Sequence, residues 1–449
     1  MVRAGTVPTY DRSPTPTIAH LGVGAFARAH LGIYADDLCR NGWPALIRGV
    51  SIKSPRAENQ LSAQDGLYTV AEREPDADIP LRVVGSITSA LTGPSAAVDA
   101  LAAPTTTLVT LTITEKGYEP ADTSPPTQPA TSALAIIASA LARRRDAKLP
   151  GLVIASLDNL MHNGDVLSRA VLTHAEHLDP SLPRWVTDHV AFPSSVVDRM
   201  VPASTEEDLR QITSRLGLVD LAAVTTERHR TWAITATDGL PPLSDVGVEV
   251  VADIANFERR KLWLLNGPHS ALAYCGLLAG YRTIAEAATH PPTAKFVQRL
   301  IDDILAVADL PDTMRPARFA AEALHRFSNP SLDHTCVQVA TDGSRKLPQR
   351  LLPVVTARAD RGLDTTRLAI VVAAWIAAAA QIRIQGATLP DISDPLSAPI
   401  QSAARRGDLA DVCQVALPKQ TSRQLLAQVQ TALAHLVSNG PTALEARHP

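Results

Sequence analysis

Apolar positions along this chain follow two rhythms, and the change comes just past its middle. Up to about residue 236, short β-branched runs alternate with stretches of helical spacing. Residues 17–21, 45–52, 81–87, 106–113 and 151–156 are predicted strands, with 184–190 and 231–234 as later additions. Residues 29–40 carry a helical pattern that ends at Asn41-Gly42, a C-cap signal. Strands alternating with helices imply βαβ units and a mainly parallel sheet. After the loop 237–244 (TDGLPPLS) the pattern turns to long alanine- and leucine-rich helices over 260–280, 293–308, 317–327, 365–384 and 422–437. Turn clusters at 329–330, 342–344 and 393–399 separate them. The expected fold class is α/β, with a flexible leader at 1–16, an α/β domain at 17–245 and a mainly α-helical domain at 246–449.

The first strand runs into GVGAFA. Gly22, Gly24 and Ala27 form GxGxxA after a strand and at the start of a helix, the context a dinucleotide fingerprint requires. The first glycine permits the tight turn, the second lets a pyrophosphate reach the backbone, and the alanine lets helix and strand pack closely. The helix N-terminus then offers free N–H groups to phosphate. The 17–245 domain is therefore expected to be Rossmann-like, with Ile18, Gly22, Gly24, Ala25, Phe26 and Ala27 as cofactor-binding candidates. The fingerprint also expects an acid near the end of the second strand, to hold the ribose hydroxyls. Here that strand leads into Ser51-Ile52-Lys53-Ser54-Pro55-Arg56, and the first acid is Glu58. Lys53 or Arg56 would suit a 2′-phosphate, or both are solvated surface cations, so NAD and NADP stay open at this point.

Composition narrows the class. The 449 residues carry 45% hydrophobic and 19% charged side chains and a net charge of −3. That excludes a strongly basic nucleic-acid binder and an acidic disordered chain. Aromatics make up 4%, with no basic stripe among them. The longest apolar run, 368–380, falls short of the roughly 18–20 residues a membrane helix needs and reads as a buried helix. Cys39, Cys275, Cys336 and Cys413 show no CxxC spacing, so neither a zinc site nor a disulfide framework is suggested. The N-terminus lacks the apolar core of a secretory signal. A cytoplasmic protein without nucleic-acid or membrane partners is expected.

Candidate chemistry gathers in KLWLLNGPH at 261–269. On a regular helix Lys261 and His269 lie about 80° apart, and Asn266 and His269 share a face. A lysine, an amide and an imidazole on one side of an otherwise apolar helix either make a reaction centre or form a polar edge facing solvent. Burial lowers a lysine's pKa, which suits proton exchange near neutral pH. Pro268 should free a backbone carbonyl and bend the run. Asp158-Asn159 and Glu115-Lys116 each follow a predicted strand, at the edge where parallel sheets bind ligands. Asn163-Gly164 reads as a turn, and Asp198-Arg199 as an ion pair at a helix start. The loop 342–350 concentrates Arg345, Lys346 and Arg350, a group suited to an anion or simply to solvent.

Seven segments in order carry a resemblance: GVGAFARAHLGIY at 22–34, QDGLYTV at 64–70, LTITEKGY at 111–118, SLDNLMHNG at 156–164, FPSSVVDRMVP at 192–202, KLWLLNGPHSALAYCG at 261–276 and RFSNPSLDH…DGSRKLPQR at 326–350. Together they make the chain resemble the polyol-specific long-chain dehydrogenases, the mannitol dehydrogenase family. The resemblance implies a Rossmann-like domain followed by a helical one. It implies metal-independent hydride transfer between a nicotinamide cofactor (NAD, with NADP possible) and a ketose or keto-acid, and a monomer. It assigns Lys261 as general acid/base, Asn159 and Asn266 as the amides that polarise the carbonyl oxygen, and His269 as the residue orienting substrate and lysine. TEKGY and DGSRKLPQR look closer to the fructuronate reductase branch. With Asp198, the cations Lys116, Lys346 and Arg350 are then the substrate-binding candidates, because a uronate carboxylate calls for a cation and a neutral polyol does not. The expected reaction is D-fructuronate/D-mannonate interconversion. A mannitol- or arabinitol-type polyol 2-dehydrogenase is the alternative, and a non-catalytic dinucleotide sensor a remote one.

Overall fold

The computed structural model describes residues 7–73, 80–118 and 132–444. Its contacts divide the chain into two compact units, Met1–Phe257 and Glu258–Pro449.

In chain order the first unit's strands are β1 (Ile18–Leu21), β2 (Ile47–Ser51), β3 (Tyr68–Arg73), β4 (Leu81–Val84), β5 (Ile87–Thr92), β6 (Leu108–Leu111), β7 (Val153–Ser156), β8 (Ser195–Asp198), β9 (Val224–Glu227), β10 (Thr231–Thr235) and β11 (Glu249–Val251). Five form a wholly parallel sheet in the order β5-β2-β1-β6-β7. Alternation along its strands builds two cores. Ile18, Ile47, Leu108 and Val153 face one, whereas Ala19, Leu21, Val50, Val109 and Ile154 face the other. A sheet covered on both faces explains why its strands read as continuous apolar runs. The chain moves outward from β1 to β2 and β5, then returns to β6 on the other side of β1. The order therefore reverses between β1 and β6, the switch point where such sheets bind ligands at their carboxyl edge.

Two three-stranded sheets, β4-β3-β9 and β11-β10-β8, complete this unit. The predicted strand at 81–87 is two strands in different sheets, β4 and β5, parted by Gly85-Ser86. The predicted strand at 184–190 is instead the helix Leu182–His189, because Leu182 and Val186 repeat at helical spacing toward the core and Pro183 starts the first turn. The predicted helix 29–40 begins earlier, at Ala25, and breaks at His30.

The second unit's described residues are mainly helical. Two of its helices, Gly267–Ala279 and Thr366–Ala380, are buried almost all round, which marks them as its core. Amphipathic helices such as Pro291–Leu305 and Arg423–Asn439 add to it. Residues 342–350, read as a loop opening on the turn cluster 342–344, form the helix Gly343–Arg350. Among the described residues no helix is long and apolar enough to cross a membrane.

Candidate active site

The glycine turn sits at the carboxyl end of β1, beside the switch point. Gly22 has φ +98°, and a Cβ there would stand 2.2 Å from the Thr112 carbonyl oxygen. Both constraints demand glycine. Gly24 N-caps the helix Ala25–Ala29, and a Cβ built on it meets, among the described residues other than its chain neighbours, nothing nearer than the Gly22 carbonyl oxygen at 4.0 Å. Its backbone is therefore open to a ligand, while Ala27 is buried. Ala25 and Phe26 follow in the first helical turn. Ile18 stands at the other end of β1, in register with Ile47 and Leu108, with its side chain in the core.

Beneath the turn lies His20, which is buried. Its Nε2 is 3.1 Å from the Gly22 carbonyl oxygen, and its Nδ1 is 2.8 Å from Thr110 Oγ1. A carbonyl only accepts, so Nε2 carries the proton and Nδ1 accepts from the Thr110 hydroxyl. Thr112 Oγ1 also donates to the Gly22 carbonyl, at 2.8 Å. Burial lowers the His20 pKa to about 4, so the ring is neutral near pH 7. A strained turn with no room for a side chain, next to an open backbone at a helix N-terminus, fits the pyrophosphate of a dinucleotide. No acid closes β2: Lys53 and Arg56, both exposed, stand in that stretch.

Two strand-end segments lie at the same edge of the first unit. The Asp158 carboxylate accepts the backbone N–H groups of Ile113 (3.0 Å) and Thr114 (2.9 Å) and the Tyr118 hydroxyl (2.8 Å). Asn163 is no surface turn. Its buried amide donates to the Ser195 carbonyl and accepts the Ser195 N–H, both at 2.8 Å. With both neighbours used as scaffold, Asn159 is left exposed just beyond β7. The backbone of Lys116 lies in a 3-10 turn, Glu115–Tyr118, and its side chain lies outside the described residues.

Asp198 and Arg199 are not an ion pair at a helix start. They end and follow β8, where successive side chains point to opposite faces. Arg199 pairs with Glu72 at 2.8 Å, and Asp198 lies 3.4 Å from His229 Nε2.

The second unit holds the KLWLLNGPH segment. The helix Ala255–Lys261 passes into a π-helical turn, Leu262–Asn266, before the helix Gly267–Ala279. The Gly267 N–H donates to Leu262, five residues back, and Pro268 has no N–H to give the Leu264 carbonyl. The widened turn corrects the expected geometry. A regular helix sets Lys261 and Asn266 about 140° apart. A turn closing at i→i+5, with about 4.4 residues per turn, cuts that to roughly 50°. Lys261 then comes nearly into line with His269 as well.

All three are buried, with Lys261 and Asn266 9% and His269 8% exposed. Among the described residues Asn266 Oδ1 and His269 Nε2 have no hydrogen-bond partner. Two orphaned polar atoms on one face cost stability and mark a place for a polar ligand. The His269 ring stacks on Phe327 at 4.5 Å and meets His334 edge-on at 5.1 Å. Its pKa is held well below the usual value, first by burial and then by the charges of His334, Arg350, Lys346 and Arg326.

The cations Lys346 and Arg350, four residues apart on the helix Gly343–Arg350, thus gather with Arg326 around His269. Arg350 donates to Ser270 Oγ at 3.0 Å, and Lys346 Nζ to the Val339 carbonyl at 3.3 Å. Arg326 and His334 were not singled out from the sequence, although RFSNPSLDH contains both. Their signal was proximity to the same motif, and only the fold brings it to His269. Among the described residues there is no group of three or more metal-ligating side chains.

Residues 16–243 match the mannitol dehydrogenase Rossmann domain, and residues 253–437 the mannitol dehydrogenase C-terminal domain. The chain belongs to the mannitol dehydrogenase family. It is therefore an oxidoreductase acting on CH–OH groups. It is 38% identical to the D-mannonate oxidoreductase of Escherichia coli (strain K12) over 422 residues, 88% of this chain and 86% of that protein. It is 35% identical to a mannitol 2-dehydrogenase of Cereibacter sphaeroides over 432 residues, 90% of each chain. Its fold superposes on Pseudomonas fluorescens mannitol 2-dehydrogenase, solved in ternary complex with NAD and D-mannitol, with a TM-score of 0.87 at 30% identity, covering 98% of this chain and 96% of that one.

Proposed function

We propose that this family member interconverts D-fructuronate and D-mannonate, with NAD as hydride carrier. The observation that carries the reading is the buried Arg350, bonded to Ser270 beside the buried His269, with Lys346 one turn earlier on the same helix. A neutral polyol has no group that needs such charge, whereas a uronate carboxylate gains charge-assisted hydrogen bonds from it. The kinship to a D-mannonate oxidoreductase supports this choice, and the kinship to mannitol 2-dehydrogenases keeps a neutral ketose as the competing substrate. The NAD assignment is supported by the glycine turn and by the relative solved with NAD.

The cofactor, when bound, supplies or takes the hydride at the substrate carbon. The remaining chemistry belongs to this chain. In reduction, negative charge grows on the ketone oxygen, and an amide donor aimed at that oxygen stabilises it. Asn266 is that donor in the helical unit. Asn159, at the end of β7, is the second amide by resemblance. Lys261 gives the proton as ammonium, and in the reverse direction takes it as neutral amine. His269, neutral and stacked on Phe327, offers Nε2 to a substrate hydroxyl and so fixes orientation. Lys346 and Arg350 hold the carboxylate; Lys116 and Asp198 complete the proposed substrate contacts. The enzyme is proposed to work as a cytoplasmic monomer.

The test is absorbance at 340 nm with D-fructuronate and D-fructose, each offered with NADH and NADPH. Fructuronate with NADH is the expected pair. Lys346→Met and Arg350→Met are each expected to raise KM for fructuronate at least tenfold, as loss of one charge-assisted bond implies (about 1.5–3 kcal/mol). An unchanged KM in both variants refutes the clamp.

A further inference from the structure

The helix that carries Lys346 and Arg350 does not cap itself. It is only eight residues long, too short to hold its shape alone. Pro348 inside it removes one backbone bond, and Asp342 at its N-cap, at φ +57°, makes no side-chain cap. The cap comes from fifty residues further on. Asp394 is 9% exposed, and its Oδ2 accepts the Ser344 N–H at 2.9 Å and the Trp375 indole N–H at 3.0 Å. Its Oδ1 accepts the Leu396 N–H at 2.9 Å, which fixes the Asp394 loop itself. Alongside, the Asp342 N–H donates to the Ser393 carbonyl at 2.9 Å.

Below this cap the helix start is pressed against the buried core. A Cβ on Gly343 would lie 2.3 Å from Trp375 Nε1 and 2.4 Å from the Tyr274 hydroxyl. Tyr274 in turn donates to the Ala340 carbonyl at 3.1 Å. One carboxylate therefore joins three things: the first turn of the cation-bearing helix, the indole of the buried Thr366–Ala380 helix, and its own loop. A negative charge at a helix N-terminus is also favourable in itself. Without it, the Ser344 N–H and the buried indole lose their acceptor together, and the short helix is free to turn or withdraw.

We infer that Asp394 is a positioning residue for the substrate carboxylate, setting the depth and rotation of the helix that presents Lys346 and Arg350. The inference rests on the uronate reading above. It assigns a part in specificity to the 391–396 segment, far in sequence from Lys346 and Arg350. Asp394 acts through the helix and does not touch the substrate.

The test uses the full-length enzyme with Asp394→Asn and Asp394→Ala. Steady-state kinetics are measured with fructuronate and fructose, NADH binding by fluorescence titration, and folding by thermal melting. Asp394→Ala is expected to raise KM for fructuronate tenfold or more. Its kcat and NADH affinity should stay within threefold of wild type. Asp394→Asn keeps one acceptor oxygen, is the variant more certain to fold, and should recover part of that KM. An unchanged KM in folded Asp394→Asn and Asp394→Ala overturns the inference while leaving the uronate reading standing. So does a parallel loss of kcat and NADH affinity, the mark of general damage. Wild-type enzyme that reduces fructose but not fructuronate overturns both.

Discussion

Replacing Gly24 with alanine separates a binding role from a folding role at the cofactor turn. In the folded protein the substitution is nearly silent. Gly24 has φ −84° and ψ −174°, ordinary extended backbone, and a Cβ meets nothing closer than 4.0 Å. Reduced freedom of the unfolded chain favours alanine by about 0.4–1 kcal/mol, and its poorer fit at an N-cap costs a similar amount, about 0.5–1 kcal/mol. The melting temperature should therefore move by no more than about 2 °C. The new methyl group, however, stands where a pyrophosphate would meet the backbone. Loss of one or two charge-assisted N–H bonds costs about 1.5–3 kcal/mol, so NADH should bind roughly 10- to 100-fold more weakly. Gly22→Ala is the counterpart. A side chain at φ +98°, 2.2 Å from a backbone carbonyl oxygen, costs about 1–2 kcal/mol in backbone conformation and more in displacing Thr112. A total near 3 kcal/mol should lower the melting temperature by roughly 6–12 °C as well as weaken NADH. Fluorescence titration and thermal melting of both variants decide the matter. A Gly24→Ala enzyme that binds NADH like the wild type refutes the placement of the pyrophosphate at this turn.

Two further outcomes follow from the site. Lys261→Met should cut kcat by about 10²–10⁴-fold, the usual worth of a positioned acid, with NADH affinity unchanged; more than a tenth of wild-type kcat remaining would remove Lys261 from proton transfer. His20 titrates at about 4 in the folded protein, below its ordinary value of 6.5, so the unfolded chain binds the proton first. Its contribution is complete above pH 6.5 and lost as pH falls toward 4, about 3 kcal/mol in all. His20→Gln should therefore melt with a shallower pH dependence between 6.5 and 4, and an identical slope would contradict the buried neutral ring.

How much of this could be read from the chain depends on how local each cause is. The strand, the turn and the helix around Gly22, Gly24 and Ala27 were legible because the positive φ of the turn and the helix start act within ten residues, although the close approach of Thr112 to Gly22 does not. KLWLLNGPH was legible as chemistry but not as geometry. The angle between Lys261 and Asn266 depends on a π turn that a 3.6-residue period does not reveal. Residues 342–350 read as a loop because the Asp342-Gly343-Ser344 cluster is a turn former by local preference. That preference is overruled by Asp394 and Trp375, neither of them near in sequence. Arg184–Val190 misled for a similar reason, since a short apolar run fits either period until its neighbours decide. Asp198-Arg199 looked like a pair because the residues are adjacent, yet strand geometry sends them to different partners, His229 and Glu72.

The division of labour between His269 and Lys261 follows from charge. An imidazole that is to donate a proton at neutral pH must be charged there, and His269 is not. Burial and the neighbouring His334, Arg350, Lys346 and Arg326 all favour its neutral form. A hydrogen bond from Nε2 remains within its reach, while proton delivery is the part proposed for Lys261. The same cations that hold His269 neutral are those proposed to receive the substrate carboxylate. Binding a carboxylate among them offsets part of their field and raises the pKa of His269, but leaves the larger cause, burial, in place. In the proposed mechanism substrate charge and proton transfer fall to separate groups, so a change to Lys346 or Arg350 should appear in KM and a change to Lys261 in kcat.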